Sequence, residues 1–219
     1  PDLASLKDAG RKVAKNLRPG QMIILESTVA PGTTQEILKP ILEKTGLKAG
    51  RDFFLCFSPE RINPGSRKYS IHNIPKVVAG MDEQSSKLIF AYYRHVVKTP
   101  VKVSSLEAAE LCKILENTFR FININLINEF AEYSHKRGIN IWEVVDAAST
   151  KPFGFMPFYP GIGIGGHCIP VDPYYYLDDA KKIGQQCAIL QEAMLFHKKH
   201  IQTVVSCAWR LLKKKNKKH

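Results

Sequence analysis

Apolar residues in the first hundred positions gather into short continuous runs separated by amphipathic segments. The runs predict four strands, and their unbroken apolar character is typical of strands buried on both faces of a parallel sheet. Helices are predicted before and between them. The predicted strands span residues 22–25, 53–57, 76–80 and 101–103, and the predicted helices span residues 3–17, 33–44 and 85–97. This alternation indicates an α/β fold with a mostly parallel sheet.

Two stretches of the form Ser/Thr-x-x-Glu match the capping box that begins many helices. Residues 33–36 precede the helix between the first two strands, and residues 104–107 precede a much longer helix. The long helix runs to Arg137, where Gly138 is expected to end it because glycine tolerates the left-handed backbone of a helix C-terminus.

From Ser104 onward every predicted element is a helix. After the long helix come a helix over residues 141–149, an aromatic, Pro- and Gly-rich loop over 151–173, and a helical stretch over about 174–212 with a break near Gly184. We therefore predict an α/β part over residues 1–103, the remainder of a Rossmann-like parallel sheet, and an all-α part over residues 104–219.

Positive charge is concentrated at the end of the chain. The formal net charge is +12, and the residues after position 180 contribute ten Lys or Arg and a single acid, Glu192. An arm that binds nucleic acid or an anionic surface is one interpretation. A solvated basic helix end is favoured instead, because no aromatic residues that could stack on bases alternate with the lysines. We expect no nucleic-acid partner.

The opening of the chain contains no apolar run long enough for a signal peptide or a membrane span, so a cytoplasmic location without membrane attachment is expected. The chain has five cysteines, an odd number with no C-x-x-C pair. This usage argues against a disulfide scaffold and against a zinc ribbon. We predict no metal site.

The loop sequence GIGIGGHCIPVDP over residues 161–173 contains a formal G-x-G-x-x-G at Gly161, Gly163 and Gly166. A dinucleotide-binding turn of this form follows a strand and opens a helix. Here aromatic and proline residues precede the glycines, and Pro170 and Pro173 are expected to prevent a helix from following directly. We predict instead that the glycines let the backbone approach a ligand closely.

Cys168 is the candidate nucleophile of this loop. A thiol becomes nucleophilic where N–H groups or positive charge favour the thiolate, and the glycine-rich backbone can supply such a setting. The other four cysteines are interpreted as small buried apolar residues. A cysteine hydrolase would need a histidine base, but the adjacent His167 is not expected to point at the same thiol and is equally well a turn residue.

The loop resembles the catalytic-cysteine loop of the UDP-sugar 6-dehydrogenase family, in the branch similar to UDP-N-acetylhexosamine dehydrogenases. Four further motifs resemble that branch and occur in the family's order. They are ESTVAPGT over residues 26–33, SPERINPG over 58–65, KPFGF over 151–155 and DPYY over 172–175. The resemblance covers residues 1 to about 180, and it implies oxidation of a sugar alcohol to a carboxylate with two equivalents of NAD.

The resemblance also implies roles for individual residues. Cys168 would form a thiohemiacetal and then a thioester, Lys113 and Asn117 would stabilise the oxyanion, and Glu60, Asp172 and Thr28 would position the hydrolytic water. Glu110 lies on the same helical stripe as Lys113, and an apolar stripe with Leu111, Ile114, Leu115, Phe119 and Ile122 lies opposite. Cofactor contacts are expected from Ser27, Thr28, Pro31 and Cys168. Substrate contacts are expected from Glu60, Arg61, Ile62, Lys113, Asn117, Phe158, Tyr159 and Gly165.

Some features depart from the family. Many glucose-type relatives carry a second glutamate where this chain has Pro64, which favours the acetylhexosamine branch without fixing the sugar. Residues 195–200 match the family's linking helix poorly. The family's dinucleotide-binding motif and its C-terminal UDP-binding domain are not found, so a fragment with little activity of its own is expected. The resemblance implies a homodimer through the central helical domain. The alternative is a non-catalytic dimerisation module or pseudoenzyme.

Overall fold

A computed structural model describes residues 2–62, 65 and 69–216, with side chains up to Lys213. Pro64, which was the basis for favouring the acetylhexosamine branch, and the last two lysines of the basic tail lie outside the described residues. The helices are α1 (Ala4–Ala14), α2 (Lys39–Glu43), α3 (Glu83–Tyr93), α4 (Leu106–Arg137), α5 (Ile141–Ser149), α6 (Asp172–Lys182) and α7 (Ala188–Asn216). The strands are β1 (Met22–Leu25), β2 (Phe54–Phe57), β3 (Lys76–Gly80) and β4 (Pro100–Lys102).

The four strands form one sheet in the order β1-β2-β3-β4. The pairs β1–β2 and β3–β4 are parallel, whereas β2 and β3 run antiparallel, with Cys56 opposite Gly80. The predicted α/β fold is confirmed. The antiparallel pair was not predicted, because an apolar run does not encode the direction of its neighbour. Antiparallel neighbours also need no crossover helix between them.

Buried residues lie on both faces of the sheet, as the continuous apolar runs predicted. Leu55, Phe57 and Val77 belong to one core cluster, and the alternate residues Cys56 and Val78 belong to another. Successive side chains of a strand point to opposite faces, so each strand supplies both clusters.

Three predictions about helix starts were wrong in detail. Thr33 makes no capping hydrogen bond, and a π-helical turn over Thr34–Leu38 replaces the first part of the expected helix. The long helix is capped by Ser105, whose hydroxyl accepts from the N–H of Ala108, rather than by Ser104. Helix α6 begins at Asp172 with Pro173 in its first turn, so proline did not block a helix there. Proline lacks an N–H, but the first turn of a helix leaves that donor without a helical partner in any case.

The chain forms two compact units: Pro1–Leu115 with Tyr174–Asp179, and Glu116–Pro173 with Ala180–His219. All the strands belong to the first unit. Gly138 and Gly184 have positive φ angles of 69° and 73°, which confirms that α4 ends at Gly138 and that the last helical stretch breaks at Gly184. Among the described residues, no helix combines the length and the apolar character needed to span a bilayer.

Candidate active site

The segment after β1 carries three of the predicted cofactor-side residues. Ser27 is exposed, and Thr28 and Pro31 are half-buried. They follow the carboxyl end of a strand that is paired in parallel with β2, the position at which ligands bind in open α/β sheets. These side chains therefore lie where a nucleotide cofactor would be expected.

Glu60 is held by a buried lysine that the sequence analysis did not single out. The Lys76 ammonium lies 2.9 Å from Glu26 Oε1 and 3.2 Å from Glu60 Oε2, and its side chain is only 4% exposed. The hydroxyl of Tyr93 donates to Glu26, and the Lys76 ammonium lies over the Tyr93 ring. The sequence did contain a signal for this pairing, because Lys76 begins an otherwise apolar strand. A lysine buried in such a strand is expected to have an acidic partner, since charges are rarely buried unless they are paired.

These contacts keep Glu60 ionised. Partial burial alone would raise the pKa of its carboxyl, but the N–H of Ile62 and the Lys76 ammonium outweigh burial, so the pKa is lowered. Glu60 Oε1 accepts from the backbone N–H groups of Arg61 and Ile62 at 2.7 and 2.6 Å. A carboxylate held in this way can accept a proton or a hydrogen bond from water.

The predicted substrate residue Arg61 is engaged with the protein itself. Its guanidinium donates to the carbonyl of Pro75 at 2.8 Å and to the sulfur of Cys112 at 3.5 Å. Ile62, beside it, is 44% exposed. Of the two residues, Ile62 is the more exposed.

Glu110 does not work alongside Lys113 as its place on the helical stripe suggested. Its side chain is fully buried, and its carboxylate accepts from the N–H of Gly32 at 2.6 Å, the N–H of Thr34 at 2.9 Å and the Thr34 hydroxyl at 2.5 Å. Glu110 therefore ties the segment after β1 to helix α4 through Gly32 and Thr34. Lys113, one turn further along α4, is half-buried.

In the second unit the structure brings three predicted residues together. The Cys168 carbonyl accepts from the N–H groups of Val171 and Asp172, at 3.0 and 2.8 Å. Asp172 is buried, and its Oδ2 accepts from Nδ2 of the buried Asn117 at 2.5 Å. The thiol of Cys168 is exposed, as is that of Cys207. Cys168, with its exposed thiol, thus lies four residues before Asp172, whose buried carboxylate accepts a hydrogen bond from the Asn117 side chain on α4.

The glycine-rich loop packs on helices as well as presenting Cys168. Gly163 has a φ of 134°, and a Cβ at this position would lie 2.9 Å from Cγ1 of Ile201 on α7. The close approach that requires glycine here is to a helix, which corrects our expectation for this position. Added Cβ atoms at Gly161, Gly165 and Gly166 would meet nothing within 4 Å. The element directly before the loop is helix α5 and not a strand, so these glycines do not form a dinucleotide-binding turn of the strand–turn–helix type.

The two aromatic residues predicted to contact substrate are packed against helices. Phe158 meets Phe119 edge to face, with ring centroids 6.0 Å apart. Tyr159 stacks on Trp142 at 5.5 Å, and its hydroxyl donates to Asp146 at 2.8 Å. These contacts fix the approach to the cysteine loop. Phe158 remains half-buried and Tyr159 remains exposed.

The fold and these groups define a class of protein, an α/β dinucleotide-binding domain followed by a helical domain. Two family models match the chain: the NAD binding domain of the UDP-glucose/GDP-mannose dehydrogenase family over residues 1–97, and the central domain of that family over residues 107–198. The chain belongs to the UDP-glucose/GDP-mannose dehydrogenase family, which confirms the resemblance inferred from the sequence motifs.

Individual relatives agree with this assignment. The chain is 44% identical over 192 residues to a UDP-N-acetyl-D-glucosamine 6-dehydrogenase of Pseudomonas aeruginosa, covering 87% of this chain and 45% of the relative. It is 40% identical over 182 residues to a UDP-N-acetyl-D-mannosamine dehydrogenase of Pyrococcus horikoshii, covering 83% and 43%. A solved structure of the UDP-D-ManNAc dehydrogenase of Pyrococcus horikoshii superposes with a TM-score of 0.90 at 35% identity, covering 99% of this chain and 51% of that one. The chain therefore spans about half the length of the relatives it matches.

Proposed function

We propose that the protein containing this chain oxidises the C6 alcohol of a UDP-sugar to the carboxylate. The observation that carries the proposal is the exposed Cys168, whose backbone carbonyl accepts from the N–H of the buried Asp172, in a chain that matches the family's NAD-binding and central domains. In this proposal residues 1–103 complete the NAD-binding domain, and residues 104–219 form the central helical domain.

The segment after β1 fits an NAD-binding role. Ser27 is exposed, Thr28 is half-buried, and Glu110 fixes the backbone of this segment through Gly32 and Thr34. NAD⁺ would supply the oxidising power, one equivalent for each of the two oxidations. Ser27, Thr28 and Pro31 would contact it from the α/β part, and Cys168 from the cysteine loop.

Cys168 would act on the aldehyde that the first oxidation leaves. Its sulfur adds to the aldehyde carbon, the thiol proton is released, and the carbonyl oxygen becomes an oxyanion that Lys113 and Asn117 stabilise as donors. Oxidation of this thiohemiacetal gives a thioester on Cys168. Water then adds to the thioester, the carbon–sulfur bond breaks, and the carboxylate and the free thiol are formed.

The hydrolytic water needs a hydrogen-bond acceptor. Glu60 is held as a carboxylate by Lys76 and by two backbone N–H groups, and Asp172 keeps its place through Asn117. We propose that these two carboxylates and the Thr28 hydroxyl position the water. Ile62, Phe158, Tyr159 and Gly165, with Arg61, would line the sugar and the nucleotide.

A UDP-N-acetylhexosamine is the substrate that we propose. Its support is the sequence identity to relatives named as UDP-N-acetyl-D-glucosamine and UDP-N-acetyl-D-mannosamine dehydrogenases. The test mixes the whole protein with NAD⁺ and, in turn, UDP-N-acetylglucosamine, UDP-N-acetylmannosamine and UDP-glucose. We expect NADH and uronic acid in a ratio of two to one with an acetylated sugar. Absence of NADH with every UDP-hexose would leave the dimerisation module as the function. The cytoplasmic location predicted from the sequence stays a prediction.

We also propose that the central helical domain forms a homodimer. In the second unit, helix α4 exposes a stripe of large apolar side chains at helical spacing, and these residues are Phe119, Leu126, Phe130 and Tyr133. Their exposures range from 45% to 59%, so the stripe is an unusually apolar surface that a second copy would cover. A two-fold dimer would use the same stripe on both copies.

Replacing Phe130 with glutamate is expected to weaken this dimer at least about 100-fold. The two-fold axis places the new charge in the interface twice, and each unpaired charge is costly to bury. Sedimentation velocity over a dilution series measures the change. Lys136→Glu, an exposed change on α4 off the stripe, is the control and should leave the dimer intact. Equal dissociation constants for Phe130→Glu and the unmodified protein would refute this interface.

A further inference from the structure

His200 on α7 holds the start of the cysteine loop. Its ring is almost fully buried, with Nδ1 at 2.7 Å from Oε1 of Glu132 and Nε2 at 3.0 Å from the carbonyl oxygen of Gly161. Glu132 lies on α4, so the ring joins two helices to the loop.

Both partners of the ring are hydrogen-bond acceptors. A backbone carbonyl has no proton to donate, and a glutamate carboxylate has none at neutral pH. A neutral imidazole carries one N–H and can satisfy only one of the two acceptors. The doubly protonated ring satisfies both, and each bond is then assisted by its charge.

A second histidine, one turn earlier on α7, also contacts the loop. His197 bonds to the backbone of Ile164, and burial, followed by the charge of His200, lowers the pKa of His197. Glu132 and His197 are titratable groups that lie close to His200, and the Phe196 ring stacks on the His200 ring at 5.6 Å.

The loop is also gripped from α4. The N–H of Gly161 donates to Oδ1 of the fully buried Asn128 at 2.8 Å. Gly161 therefore has its N–H fixed by α4 and its carbonyl fixed by His200. Two residues later, Gly163 lies directly against Ile201. Residues 161–164 form a clamped segment that leads into Cys168.

We infer that His200, through its contacts with Glu132 and Gly161, is a positioning residue that locks the segment leading to Cys168. The inference rests on the proposed function only in that it takes Cys168 to be the catalytic nucleophile. Nothing in the mechanism above uses His200, Glu132 or Asn128.

The expected effect of losing the lock follows from the bonds at Gly161. Without the His200 ring, the Gly161 carbonyl loses its side-chain donor, and the bond from the Gly161 N–H to Asn128 remains. Local opening of the segment should then become at least about tenfold more frequent.

Hydrogen exchange of the whole protein tests the inference, with rates corrected for intrinsic exchange. The amides of Gly161, Val171 and Asp172 are the reporters because each donates to a known acceptor. We expect protection of Gly161 to fall at least about tenfold in His200→Ala, which removes both ring nitrogens. Protection should be partly restored in His200→Gln, whose side-chain amide can donate to the Gly161 carbonyl. His135→Gln, an exposed histidine on α4, is the matched control and should behave as the unmodified protein.

Protection of Gly161 that survives intact in His200→Ala would overturn the inference. Nitrogen NMR of the histidine rings in the unmodified protein covers the case in which His200→Ala does not fold. Nε2 of His200 should carry a proton hydrogen-bonded to the Gly161 carbonyl, and an Nε2 without a proton would refute the lock. Neither measurement uses NAD⁺ or a UDP-sugar. If the protein is active but the Gly161 amide shows no protection that depends on His200, only this inference is refuted. If that protection is present but the protein is inactive, only the proposed function is refuted.

Discussion

Replacing Cys168 with serine is expected to lower the rate of uronic acid formation at least about 10³-fold in the whole protein. A serine hydroxyl ionises far less readily than a thiol, so it does not add to the aldehyde at a useful rate. Without that addition no thioester forms, and the second oxidation has no covalent substrate. The first oxidation does not use the sulfur, so aldehyde should still appear.

The measurement follows NADH absorbance and identifies the product by mass spectrometry. The unmodified protein should release two NADH for each acid, and Cys168→Ser should release at most one for each aldehyde. Cys207→Ser is the matched control, since Cys207 is the other exposed cysteine and lies on α7 outside the loop. Acid production by Cys168→Ser at a rate near that of the control would disprove the thioester mechanism.

Between pH 5 and pH 8 the free energy of unfolding is expected to decrease through the titration of Glu110. Burial raises the pKa of Glu110 to about 7, although the hydrogen bonds from Thr34 and Gly32 act in the opposite direction. The unfolded chain has the ordinary glutamate pKa, so folding takes up a proton between the two values. The contribution is complete below the unfolded pKa and is lost as pH rises through 7. The loss from this group is of the order of 3 kcal/mol.

Urea unfolding at a series of pH values measures this slope. Glu110→Gln should remove the contribution, because an amide does not titrate in this range. It should also unfold at lower urea concentration at pH 5, since its NH₂ group would face one of the donors from Gly32 and Thr34 at a cost of about 1–3 kcal/mol. Glu129→Gln, an exposed change on the same helix, is the control and should keep the slope. Equal slopes in the unmodified protein and Glu110→Gln would show that Glu110 does not titrate as described.

Sequence reasoning located much of the candidate site because its chemistry lies in short segments. Cys168 and Asp172 are four residues apart, and the glycines around the thiol distinguished it from the four other cysteines. Lys113 and Asn117 could be placed on the same face of a predicted helix because they are four residues apart. The bond between Asn117 and Asp172 joins residues 55 positions apart, and no local pattern announces such a pair.

Residues that hold the site in place were missed for the same reason. Lys76 was included in a strand, and only the structure shows that it pairs with Glu26 and Glu60. Glu110 was assigned to the stripe of Lys113, yet its carboxylate is committed to Gly32 and Thr34. A buried polar group is satisfied by whichever partner the fold brings within reach. The sequence separation of that partner is not restricted.

The sequence by itself determined the strands, the long helix α4 with its end at Gly138, and the break at Gly184. These features depend on apolar periodicity and on the conformational freedom of glycine, which are local properties. The tertiary structure alone decided that β2 and β3 run antiparallel, that Thr34 bonds to Glu110, and that His200 meets Glu132 and Gly161. Each of these depends on the free energy of a contact between distant segments, which exists only after the chain has folded.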